Sequence, residues 1–75
     1  MKKYGKVIVY DGYIGNIVDK EGIKYIFTNK DLKDKKIMVG DLVIFNSEIF
    51  ETVEIKEYMA RFVTKVSNEE GKSTR

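Results

Sequence analysis

Apolar and polar residues alternate through the first half of the chain. Along residues 3–10, Tyr4, Lys6, Ile8 and Tyr10 fall on one parity and Gly5, Val7 and Val9 on the other. Such alternation, rich in β-branched and aromatic types, predicts a strand. Asp11-Gly12 is a turn signal, after which residues 13–18 resume an extended pattern around Gly15, a position suited to a bulge or a sharp coil. A second polar turn, Lys20-Glu21-Gly22, leads to a third strand over residues 23–28, with Tyr25 and Phe27 on one face. The three segments predict an antiparallel meander.

Residues 29–36 are polar and lysine-rich, with Leu32 as the only apolar anchor, and read as a loop able to hold one helical turn capped by Asn29. A fourth strand follows the Gly40-Asp41 turn as Leu42-Val43-Ile44-Phe45, and residues 59–66 form a fifth. Residues 47–57 fit either state: Ile49, Val53 and Ala60 suit a helix, Val53 and Ile55 a strand. The pattern predicts an all-β, five-stranded barrel over residues 1–66, whose closure removes exposed sheet edges, followed by a polar, frayed tail over residues 67–75. Val7, Ile17, Tyr25, Phe27, Val43, Phe45 and Phe62 are the expected core.

Seventy-five residues allow one small domain. The chain has neither cysteine nor histidine. Disulfides, thiolate zinc sites and the commonest general base are therefore excluded, and stability must come from packing or a partner. Hydroxyl nucleophiles lack a histidine, and no carboxylate pair in a cleft is identifiable, so the expectation is a binding protein rather than an enzyme, with no cofactor and no metal. The apolar run Val7-Ile8-Val9-Tyr10 is far too short for a signal-peptide core or a spanning helix, which predicts a cytoplasmic protein without membrane contact.

The net charge of +2 conceals a polarity. Residues 1–36 carry nine lysines against five acidic residues, and residues 37–75 five basic against seven acidic. Lys6, Lys24, Lys30 and Lys33, with Lys35 and Lys36 nearby, are candidate phosphate contacts, and Arg61 and Lys65 share a parity that extends the patch. Tyr10 and Tyr13 flank the Asp11-Gly12 turn as candidate stacking rings, one of which can belong to the core. Glu48, Glu51, Glu54 and Glu57 recur every third residue and read as a solvated acidic face. Gly71-Lys72-Ser73-Thr74 imitates the end of a phosphate-binding loop, but Val66 stands where its first glycine belongs and no helix can follow.

Taken in order, Gly5-Lys6-Val7, Gly12-Tyr13-Ile14-Gly15-Asn16-Ile17, Tyr25-Ile26-Phe27 with Lys30-Asp31-Leu32, and residues 39–45 (VGDLVIF) resemble the cold-shock domain. Residues 36–41 are also similar to the smallest bacterial translation initiation factor. Both resemblances imply an oligonucleotide/oligosaccharide-binding (OB) barrel, and the first implies single-stranded RNA or DNA as ligand. The family's aromatic stacking platform corresponds here to Ile14, Asn16, Ile26 and Thr28, and its first-strand tryptophan to Val9. Two uses of that face follow. Lysines and one or two tyrosines can hold a single strand, or the aliphatic surface of Val9, Ile14 and Ile26 can form a dry contact with a protein partner or a second copy.

Overall fold

A computed structural model describes residues 2–34 and 36–66. The tail at 67–75, the Gly71-Lys72-Ser73-Thr74 sequence and Lys35 lie outside the described residues. Five strands, β1 (Lys2–Tyr10), β2 (Ile14–Asp19), β3 (Lys24–Thr28), β4 (Leu42–Glu51) and β5 (Lys56–Lys65), close into a barrel in the order β1-β2-β3-β5-β4. β1, β2 and β3 form the expected antiparallel meander, β4 returns antiparallel to β1, and β3 meets β5 in parallel. This is the five-stranded Greek-key topology of the OB fold. Among the described residues no helix is long and apolar enough to cross a membrane.

Alternation decides the core. Val7, Ile17, Tyr25, Phe27, Val43 and Phe45 face inward, joined by Ile37, Ala60 and Val63. Phe62 does not. The β4–β5 register shifts between Ile44 and Asn46, adding one residue on β5, and Phe62 takes a left-handed φ of 54°. The bulge turns its ring outward, 59% exposed, and gives the inward positions to Ala60 and Val63 on either side.

A second bulge lies on β1, between Val7 and Val9, rather than at Gly15. It inverts the parity expected for the end of that strand. Val9 pairs with Asn16 and is half exposed, whereas Tyr10 pairs with Gly15 and packs its ring against Phe27, centroids 5.2 Å apart. Gly15 makes this possible. A Cβ there would collide with the carbonyl oxygen of Val9 and lie 2.7 Å from Phe27 Cζ.

The connections are fixed by short polar side chains. Asp11 Oδ1 accepts the N–H groups of Tyr13 and Ile14. These two bonds favour the ionised carboxylate and hold its pKa below the ordinary value. The helical turn expected after β3 is a single 3-10 turn, η1 (Asn29–Asp31), and its cap is Thr28 rather than Asn29. Thr28 Oγ1 accepts the Lys30 N–H, and Asp31 Oδ2 accepts the Thr28 N–H, a reciprocal box at the turn's start.

Residues 47–57 resolve as strand, turn and strand. β4 and β5 stay paired from Ser47↔Ala60 out to Glu51↔Lys56, well beyond Asn46, where β4 leaves β1. The resulting hairpin arm runs on past the pairings that β4 and β5 make with β1 and β3, and the molecule measures 52 × 24 × 17 Å along its principal axes.

Candidate nucleic-acid interface

The outer face of β1, β2 and β3 is built from residues placed in rows by the strand register. Val9, Asn16, Ile26 and Met59 form one row across β1, β2, β3 and β5. Lys6, Val18 and Lys24 form a second, and Ile14 and Thr28 a third. With strands about 4.8 Å apart, Lys6 and Lys24 stand roughly 10 Å from each other across Val18. The aliphatic residues Val9, Ile14 and Ile26 therefore share one surface with Lys6 and Lys24 at its margin. The residue types that suggested two different uses are parts of a single face.

Tyr13 stands at one corner of this face and is 73% exposed. Its turn is held by Asp11, and its carbonyl oxygen accepts the Asn29 N–H at the start of η1. Tyr10 is committed to Phe27, so of the two tyrosines Tyr13 is the free ring.

η1, the residues after it and β5 supply the second group of cations. Lys30, Lys33 and Arg61 line a cleft of about 360 Å³ together with Asp31, Leu32 and Phe62. Lys30 and Lys33 are exposed, and the Lys33 backbone is fixed by donating its N–H to the Val63 carbonyl. Arg61 is held by carboxylates, with Nη1 3.7 Å from Asp31 Oδ1 and Nε 3.5 Å from Glu48 Oε1. Its charge is balanced locally, so it anchors η1 to β5 and does not present a bare cation. Lys65 does not join either group. It is paired with Val43 at the end of β5, its ammonium 3.7 Å from Asp41 Oδ2 and its N–H donated to Asp34 Oδ2.

Phe62 is the residue that periodicity missed. Alternation from the buried Ala60 and the apolar character of the ring both assign it an inward position; the bulge on β5 overturns both. It supplies a second exposed aromatic ring beside Lys30 and Lys33.

At the other end of β1, Lys3, Tyr4, Gly5, Lys6, Val18, Asp19, Lys20, Glu21 and Leu42 line an open groove of about 570 Å³. Asp19 at its base is buried, and its carboxylate accepts the Glu21 and Ile23 N–H groups and the Tyr25 hydroxyl, with Lys3 Nζ at 3.8 Å. Every one of these contacts is internal, so the carboxylate belongs to the fold. The described residues contain no group of three or more histidine, cysteine, aspartate or glutamate side chains able to hold a metal. No family model and no curated protein matches the chain.

Proposed function

We propose that the protein binds single-stranded nucleic acid, without catalysing a reaction, across the outer face of β1, β2 and β3 and onto η1. The observation that carries this reading is that two exposed rings, Tyr13, whose carbonyl holds the start of η1, and Phe62, beside Lys30 and Lys33 in the cleft, flank a segment whose Lys30 and Lys33 are exposed and unopposed by short ion pairs among the described residues. Lys6 and Lys24 continue the cationic track on the same face. Bases stack on aromatic rings whatever their sequence, and lysines neutralise the backbone, which is the combination single-strand binders use. The resemblance to cold-shock domains supports the same choice, and a cytoplasmic site of action goes with it. Between the rings the surface is aliphatic, at Val9, Ile14 and Ile26, so bases there gain apolar contact but no stacking. Binding is accordingly weak and salt-sensitive.

Titrating labelled single-stranded RNA and DNA at several salt concentrations tests the proposal. Each neutralised phosphate adds about 0.7 to the magnitude of the slope of log affinity against log salt, so three or four contacts give roughly −2 to −3. Replacing Lys6 and Lys24 with alanine flattens the slope by about 1.4. Absence of binding to either strand type at low salt would sink the reading.

A further inference from the structure

The β4–β5 arm is an ordered projection with apolar residues that the barrel does not cover. Among the described residues, 48–51 have strand partners on β5 alone. The tip is not a loose loop: Thr52 Oγ1 accepts the N–H groups of Glu54 and Ile55, and the Thr52 N–H is donated to the Ile55 carbonyl. At its base Tyr58 packs edge-on against Tyr25, ring centroids 5.8 Å apart. Beyond that anchor Ile49, Phe50, Val53 and Ile55 are all exposed, Val53 completely. A two-stranded ribbon is marginal in water by itself, and this one carries bare apolar side chains on both faces, Ile49 on one and Phe50 on the other, which marks it as a contact element.

The charges of the arm say what kind of surface covers it. Glu48, Glu51, Glu54 and Glu57 stand against Lys56 alone. Glu48 is occupied by Arg61 and Glu51 stands opposite Lys56 in the register, which leaves Glu54 and Glu57 as the arm's surplus negative charge beside the apolar residues. The outer face of β1, β2 and β3 has the complementary plan, with Val9, Ile14 and Ile26 exposed or half-exposed between Lys6 and Lys24 on one side and Lys30 and Lys33 on the other.

We infer that the arm docks on the β1-β2-β3 face of a second copy of this chain, and that two copies exchange arms about a two-fold axis. A reciprocal contact engages the arm and the face of both copies, so the assembly closes rather than growing into a filament. Direct edge-to-edge pairing of two arms is disfavoured, because it sets glutamates of one arm against those of the other. The inference is argued from these two surfaces without the nucleic-acid reading, but it claims the same face, so a docked arm and a bound single strand compete for it.

The test is sedimentation velocity of the intact chain, free of nucleic acid, at submillimolar concentration and at low and high salt. The expected species at low salt has twice the chain mass, and raising the salt shifts the equilibrium toward monomer. E51K/E54K on the arm and K6E/K24E on the face should each be monomeric, with circular dichroism unchanged, since all four residues are exposed. Mixing the two variants in equal amounts should restore the dimer, because both reciprocal contacts then join opposite charges while each variant alone repels itself. A wild-type chain that stays monomeric at low salt overturns the inference. So does a dimer that either variant leaves intact, or a mixture that fails to reassociate.

Discussion

The hydroxyl of Tyr25 donates a hydrogen bond to Oδ2 of Asp19 at 2.9 Å, joining β3 to the end of β2 at one mouth of the barrel. Burial alone would raise the Asp19 pKa, but the Ile23 N–H, the Tyr25 hydroxyl, the Glu21 N–H and the Lys3 charge outweigh it and leave the pKa below its ordinary value. Burial and the neighbouring carboxylate push the Tyr25 phenol up to about 12. The two groups set opposite limits. A lowered carboxylate pKa gives stability that is present above the unfolded value and lost as pH falls through the folded one. A raised phenol pKa gives stability that is complete below about 10 and lost as pH rises toward about 12.

Asp19→Asn should therefore destabilise the protein at neutral pH by about 1–3 kcal/mol, and the loss should shrink on acidification below about pH 4. Tyr25→Phe should remove part of the alkaline loss between about pH 10 and 12. Urea midpoints across pH for the two variants and the parent check both. Parallel curves at every pH would show that neither group is linked to folding.

Gly15→Ala should be far more damaging than a surface substitution. The new methyl would meet the Val9 carbonyl and the Phe27 ring at the place where Tyr10 closes over the core. The added group forces backbone or ring displacement, with a cost of about 1–3 kcal/mol or more. Thermal denaturation measures it. An unchanged midpoint would mean that β1 and β2 are not as closely apposed as described.

The strands and the inward-facing residues were largely legible because period-two alternation reports directly on a half-buried sheet. Val7, Ile17, Tyr25, Phe27, Val43 and Phe45 are core residues that alternation assigns correctly. What the pattern hides is a change of parity within a strand. The bulges at residues 7–9 and at Phe62 have no glycine or proline to announce them, and each exchanges an inward for an outward position. Residues 47–57 are ambiguous for a related reason: they pack on little else, so burial imposes no period on their apolar residues. The face of Lys6, Lys24, Val9, Ile14 and Ile26 could be assembled from sequence and resemblance, whereas the carboxylates that hold Arg61 and Lys65 come from distant positions and needed the tertiary structure.

Phe45 and Phe62 make the parity change measurable. Phe45→Ala should destabilise by about 3–5 kcal/mol because the side chain is fully buried, which a domain of this size can barely survive. Phe62→Gly should be close to neutral or stabilising, since the ring is exposed and glycine accepts a φ of 54° without strain. Chemical denaturation of the pair separates the two environments. Equal large losses would return Phe62 to the core.

If Tyr13 and Phe62 stack on bases, their removal should affect binding in a way that lysine removal does not. Stacking on an aromatic ring contributes about 1–3 kcal/mol per base, equivalent to a roughly 5- to 150-fold change in affinity. Because no counterion is released, Tyr13→Ala and Phe62→Ala should lower affinity for a single strand by the same factor at every salt concentration, leaving the salt slope of the parent. Tyr10→Ala should behave differently. That ring is packed on Phe27, so the variant should lose thermal stability while its binding, measured well below the unfolding range, stays near that of the parent. Fluorescence anisotropy with a short labelled oligonucleotide, repeated across salt for each variant, distinguishes the cases. Full affinity in a folded Tyr13→Ala/Phe62→Ala double variant would remove the aromatic half of the proposed interface and leave the lysines to account for whatever binding remains.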